Sequence, residues 1–270
     1  MMRLMGREQG ASLRKGAIKV AGHSKWANTK HRKARQDKKR SALFGKLSRA
    51  IFAAARNGDP NPDNNAALAA AIAKAKSYSL PKDNIAAAIA KASGSAADGA
   101  HWDEIIYEGY GPAGVAVYVE CLTDNRNRTA SDVRAAFTKA GGNLGTSGSV
   151  AFQFERKGEV IIDIPADGFD EDEFMMAVAE ADGDDYQIEG DVAVVYTASS
   201  ALMPAKTALE EAGYEVRGAE LAMEPVNPQE LELRDVKKVI NLIDRLEDLD
   251  DVQNVYHTAE ITEAQLDEIE

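Results

Sequence analysis

Lysine and arginine crowd one short stretch of this chain of 270 residues. Between Ala21 and Arg49 there are ten bases (Lys25, Lys30, Arg32, Lys33, Arg35, Lys38, Lys39, Arg40, Lys46 and Arg49) and one acid, Asp37. The chemistry open to such a cluster is charge neutralisation, because its cations displace the counterions condensed along a phosphate backbone. Trp26, Asn28 and the two histidines His23 and His31 are interleaved with the cations. They add an aromatic face that stacks on bases and groups that hydrogen-bond to sugar and phosphate. An ordinary solvated helix face mixes its signs, and this stretch does not. The expected nucleic-acid contacts are therefore Lys25, Trp26, Asn28, Lys30, His31, Arg32, Lys33, Arg35, Lys38, Lys39, Arg40, Lys46 and Arg49. The pattern does not separate DNA from RNA. No helix-turn-helix, zinc-finger or RNA-recognition signature accompanies it, so sequence-specific readout is not supported.

The charge is segregated along the chain. Residues 1–49 hold 15 Lys or Arg against 2 acids, a charge of +13, while residues 50–270 carry −25. A polyanion repels that acidic body, so contact is confined to the basic head.

Other residues offer weaker chemistry. Arg126 and Arg128, in Asp124-Asn125-Arg126-Asn127-Arg128-Thr129, suit a secondary contact to phosphate or an acidic partner at a helix start, or an internal salt-bridge and capping network. Gly141–Ser149 has the composition of a phosphate-cradling loop but lacks the Gly-Lys-Ser/Thr ending, and reads better as a connection between helix and strand. Asp182-Gly183-Asp184-Asp185 lacks calcium-loop spacing and reads as a turn. Cys121 lies in a strand pattern as a core thiol. With one cysteine and four scattered histidines the chain has neither a disulfide framework nor zinc-ligand spacing. No catalytic constellation, metal site or cofactor motif is expected, and no enzyme activity.

The elements that must position these groups follow from periodicity. Leu43, Phe44, Leu47, Ala50, Ile51 and Ala54 recur at helical steps from Ser41, with Lys46 and Arg49 on the other side, until Asn57-Gly58-Asp59-Pro60. Two further Ala-rich helices are expected at Asn64–Ser77 and from Pro81 to Ser93. Strands are expected over Glu104–Gly109, Val115–Leu122 and Ser149–Phe154, with a helix capped by Thr129 ending at Gly141-Gly142. Residues 158–223 then read βαββαβ, a ferredoxin-like unit. The helix carrying Val236, Val239, Ile240, Ile243 and Leu246, and the strand Val252–His257, complete the segments before that unit.

The expected fold class is α+β: a three-helix domain with a basic arm, then two ferredoxin-like α/β domains, one inserted in the other. The divisions are a disordered extension over 1–20, the helical domain over 21–95, a discontinuous domain over 96–157 plus 224–260, the insertion over 158–223, and an acidic tail over 261–270, frayed over Glu263–Glu270. The first twenty residues lack a continuous apolar core for a secretory signal, a mitochondrial presequence being the alternative. A cytoplasmic protein is expected.

At AGHSKWANTKHRKARQDKKR (Ala21–Arg40), LPKDNI (Leu80–Ile85), YEGYGPAGVAV (Tyr107–Val117), DNRNRT (Asp124–Thr129) and GNLGTSGSV (Gly142–Val150) the chain closely resembles the YebC/PmpR family, which includes the mitochondrial translational activator of cytochrome c oxidase. The resemblance covers about residues 21–270. It implies three domains, one helical and two α/β, and a non-enzymatic role in gene expression. That role is either a DNA-binding transcriptional regulator or a ribosome- and rRNA-binding translation factor that relieves stalling at proline-rich sequences. Members of the family begin Met-Ala-Gly-His-Ser-Lys-Trp. Val20 precedes Ala21 here, which suggests a GUG initiator at Val20 and an over-extended start before it.

Overall fold

Asparagine side chains set much of the local structure. The computed structural model describes residues 36–94, 101–165 and 170–269. In it α1 (Gln36–Asn57) is followed by α2 (Ala66–Ser77), whose first turn is held by Asn65 accepting from the Leu68 amide at 3.0 Å. The same Asn65 donates to the carbonyls of Ala54 and Asp59, tying the end of α1 to the start of α2. After Pro81 comes α3 (Lys82–Ser93). Leu47, Ile51, Leu68, Ala75, Ile85, Ala88 and Ala92 form one small core, in which alanine lets the helix axes approach closely. The first helix starts five residues before the expected Ser41, so Lys38, Lys39 and Arg40 lie on its backbone.

Two four-stranded antiparallel sheets follow. The hairpin β1 (Asp103–Tyr110) and β2 (Ala116–Thr123) pairs from Asp103↔Thr123 to Tyr110↔Ala116. Its turn takes left-handed φ of 57° at Ala113 and 78° at Gly114. Next come α4 (Arg126–Lys139) and β3 (Asn143–Leu144), which pairs with the end of β1. Gly109 permits that approach: a Cβ there would lie 2.7 Å from the Asn143 carbonyl and from the Phe137 ring. The second sheet is built from β4 (Phe154–Asp163), α5 (Glu171–Glu180), β5 (Gly183–Glu189), β6 (Val192–Ala198), α6 (Leu202–Glu211) and β7 (Val216–Pro225). The chain then returns through β8 (Gln229–Glu230) and α7 (Leu233–Glu247) to β9 (Val252–His257), which pairs with β2. A parallel pair of β8 with β10 (Ala259–Glu260) and the short α8 (Glu263–Asp267) end the description.

The sheet orders are β3-β1-β2-β9 and β5-β6-β4-β7. These are the same layout. In each, a helix carries the chain from an inner strand to a parallel outer strand with one antiparallel strand between, and a second helix leads into the opposite edge. The sheets differ in connectivity, because β1 leads directly into β2. In the first sheet α4 and α7 cover one face, with Val117, Val119, Phe137, Val239 and Leu246 in its core. In the second, α5 and α6 cover one face over Val160, Ile162, Phe174, Val195 and Leu209. The bare faces meet through Tyr118, Phe154, Ala222 and Tyr256.

Several expectations shift in detail. Ser149–Phe154 is not a strand: Ala151–Gln153 is a 3-10 turn, and β4 runs unbroken from Phe154 into what was read as a separate strand. The first sheet takes its edge instead from Asn143–Leu144, inside the glycine-rich stretch. Asn125, not Thr129, caps α4, accepting from the Arg128 amide at 3.1 Å. The tail is not frayed over Glu263–Asp267, since Thr262 and Gln265 form a capping box and Leu266 and Ile269 pack on the first core.

Candidate nucleic-acid interface

The interface expected from the sequence divides into three groups. Lys25, Trp26, Asn28, Lys30, His31, Arg32, Lys33 and Arg35 lie outside the described residues. The first turns of α1 carry Lys38, Lys39 and Arg40, whose backbone is placed and whose side chains lie outside the description. Lys46 and Arg49 are described, and their position differs from the expectation.

One turn apart, Lys46 and Arg49 both face the corner between α7 and β9. The Lys46 ammonium donates to the Glu247 carbonyl at 2.5 Å, and Arg49 donates to the Asp250 carbonyl. Arg49 also lies 3.7 Å from the Asp250 carboxylate and 3.8 Å from that of Asp251. The corner combines the carbonyl end of α7 with a run of acids, so it attracts cations twice over. Burial lowers the Lys46 pKa, opposed by Glu247, Asp248 and Asp250. These two bases hold the helical head to the body.

The Asp124–Thr129 segment forms the network that was weighed against anion binding. Arg128 donates to Asp251 at 2.8 Å and to Asp124 at 2.9 Å, and Arg126 pairs with Asp103 at 2.9 Å. Thr129 donates its hydroxyl to Asp251 at 2.8 Å, and Thr123 lies 3.2 Å from the same carboxylate. Burial opposes ionisation of Asp251, but the hydrogen bonds from Arg128, Thr129 and Thr123 outweigh it and hold its carboxyl below the usual range. Both arginines occupy the first turn of α4, where the helix dipole disfavours a cation, and the carboxylates offset that cost. A cleft of about 560 Å³ beside this network is lined by Arg49, Trp102, Arg128, Asp132, Asp248 and Asp250 among others, with acids in excess. That lining disfavours an anion.

The glycine-rich loop does cradle an anion, and that anion is Glu108. The amides of Gly148, Val150 and Ala151 donate to its two carboxylate oxygens at 2.6, 2.8 and 2.8 Å. Burial would raise the Glu108 pKa, yet the three amides prevail and lower it. Those three amides are already engaged by a carboxylate of the chain itself.

At the remaining positions, Asp182 has φ 61° and leads straight into β5, as the turn reading expects. Cys121 is buried, and burial pushes its thiol up to about 12. Among the described residues no group of three or more His, Cys, Asp or Glu is placed to hold a metal ion. Nor is any helix there long and apolar enough to cross a membrane.

Sequence reading missed the junction where helical head and both sheets meet. Lys74 of α2 lies 2.5 Å from Glu220 of β7, and Tyr78 reaches the same carboxylate at 3.3 Å. Glu159 stands opposite Glu220 in the β4–β7 register. Asn254 donates to Glu120 at 2.7 Å. Burial would depress Lys74, but Glu220, Glu120 and Glu159 overcome it and raise its pKa. Burial raises Glu224, which is hydrogen-bonded to Glu159. One signal was legible: Glu120 and Glu220 each interrupt an apolar strand run.

Comparison with known proteins agrees with this architecture. The family model described as TACO1/YebC protein N-terminal domain matches residues 24–95, and that described as TACO1/YebC second and third domain matches residues 102–259. A "Probable transcriptional regulatory protein" of Bifidobacterium animalis subsp. lactis is 52% identical over 252 residues, covering 92% of this chain and 100% of the relative. One from Rubrobacter xylanophilus is 49% identical over 250 residues, covering 93% and 99%. The crystal structure of the conserved hypothetical protein Aq1575 from Aquifex aeolicus superposes with a TM-score of 0.77 at 43% identity, covering 88% of this chain and 97% of that one. With both family models matched in order across most of its length, the chain belongs to the TACO1/YebC family.

Proposed function

We propose that the chain is a cytoplasmic, non-enzymatic regulator of gene expression that binds DNA through its basic arm, residues 21–40, and acts in transcription. The observation that carries this reading is the segregation of charge, +13 over residues 1–49 against −25 over the rest. The names of the relatives, probable transcriptional regulatory proteins, support it. With Lys46 and Arg49 committed to the acidic corner, the contact set reduces to Lys25 through Arg40. Three units, over 21–95, 96–157 with 224–260, and 158–223, are proposed as the framework; three separate hydrophobic cores support that division.

Neutralising Lys25, Lys30, Arg32, Lys33 and Arg35 weakens binding without unfolding the body. If those five meet phosphates, log K falls against log salt with a slope of about −4, and the variant flattens it. A flat salt dependence in the wild type removes the electrostatic account.

A second reading, an RNA-binding factor acting on the ribosome, is favoured by the confinement of positive charge to one arm. Such an arm makes positioning contacts to phosphate and sugar, whereas reading an operator takes a groove-reading element and commonly a symmetric dimer. Crosslinking in growing cells, followed by sequencing of attached DNA and RNA, separates the two. Enrichment of a few promoters supports the regulator; reads concentrated in ribosomal RNA, lost on neutralising the arm, support the translation factor.

A further inference from the structure

The large apolar side chains exposed among the described residues include three methionines, all on the helix layer of the second sheet. Met175 and Met176 of α5 and Met203 of α6 are 51%, 59% and 60% exposed. The two helices pack side by side, with Phe174, Val178, Leu202, Ala205 and Leu209 turned down into the core. Thioether side chains are apolar, unbranched and polarisable, so a surface set of them adapts to apolar partners of varied shape.

The chain around Met175 and Met176 has one sign. Between Asp170 and Asp185 there are eight Asp or Glu and no Lys or Arg. Two bases of the same sheet and its helices are paired with acids: Lys206, one turn from Met203, with Glu210 at 2.5 Å, and Lys157 with Asp184 at 3.2 Å. Asp170 spends its side chain on the amides of Asp172 and Glu173, but Glu171, Asp172, Glu173 and Glu180 stand on exposed helix positions. Apolar anchors inside an acidic rim complement a segment that carries apolar side chains among cations.

We propose that this helix layer is a docking surface for a basic, amphipathic polypeptide segment of another protein. The chain's own basic head is a poorer occupant. That head docks through α2 on the opposite face of the same sheet, where a Cβ on Gly218 would lie 2.8 Å from Ser77 and Lys74 meets Glu220. The proposal stands whether the nucleic-acid partner is DNA or RNA.

The test titrates the full chain, labelled with 13C at its methionine methyls, with a helical peptide of lysine and leucine and with a lysine–serine peptide of equal charge. Wild-type protein binds the lysine–leucine peptide at least about tenfold more tightly at physiological salt. The methyl signals of Met175, Met176 and Met203 shift while that of Met223, half-buried at the sheet interface, does not. Changing all three methionines to serine brings the lysine–leucine affinity down to that of the lysine–serine peptide. Equal affinities for the two peptides in the wild type, or shifts spread without reference to these methyls, reduce the effect to the acidity of the body and overturn the proposal. So does tighter binding at these methionines by a peptide copying residues 21–40, which assigns the surface to the chain's own arm.

Discussion

His257 closes β9 in full enclosure, and burial lowers its pKa from 6.5 to about 4. The folded chain therefore holds it neutral where the unfolded chain protonates it. Because the unfolded state binds the extra proton below about pH 6.5, stability is lost as pH falls from there toward 4. Between pH 7 and pH 5 the loss from this one group is about 2 kcal/mol. Urea unfolding at the two pH values reads it, and His257→Gln removes most of the difference; an unchanged loss in the variant places the effect elsewhere. Asp251 makes a contrasting case. It gathers Arg128, Thr129 and Thr123, so Asp251→Asn costs about 2 kcal/mol by weakening charge-assisted hydrogen bonds. Arg126→Ala, which breaks a solvent-exposed pair with Asp103, changes the same melting curve little.

Among the elements, the glycine-rich segment depends on one side chain from another strand. Glu108→Gln replaces one carboxylate oxygen with a donor facing backbone N–H groups, leaving an amide without its acceptor. The expected cost is about 2 kcal/mol, with faster hydrogen exchange at Gly148, Val150 and Ala151 and little change on β2. Uniform acceleration throughout the first sheet would instead mean that Glu108 supports the whole sheet. This segment also shows where sequence reading reached its limit. The helices were legible because Leu47, Ile51, Val236 and Val239 repeat at helical steps, and β9 because Val252–His257 is bounded by turn residues on one side. The second sheet was legible as βαββαβ because Asp170 and Gly213 mark helix ends. The strand Asn143–Leu144 was not, since two residues carry no period and its pairing depends on Gly109 having no side chain. The cap at Asn125 was missed because Asn125 and Thr129 are both competent capping residues, and the threonine hydroxyl turns instead to Thr123, the Asn125 carbonyl and the distant Asp251.

On the scale of the molecule, long-range partners decided what local pattern could not. Lys46 and Arg49 read as part of a basic face, and nothing nearby in sequence announces the acidic corner 201 residues away that receives them. The carboxylate junction is similar, with Lys74 the base that meets Glu220 there. Lys74→Met leaves Glu220 buried without its ion pair and costs about 3–5 kcal/mol at the contact between head and sheets. Thermal unfolding then separates into an early helical transition and a later one for the sheets; a single unshifted transition would count against the junction as the link. The way in and out of the second sheet has its own consequence. The chain leaves along β4 at Phe154 and comes back along β7 at Pro225, which are partners on one rung, and the Val226 amide donates to the Gln153 carbonyl at 2.9 Å just beyond them. Residues directly opposite each other on an antiparallel ladder stand about 5 Å apart, a gap that a tight hairpin turn spans. The whole second sheet is thus a cassette on a two-strand stem, which can be cut out, or exchanged for a foreign domain with adjacent ends, without lengthening or re-routing the rest of the chain.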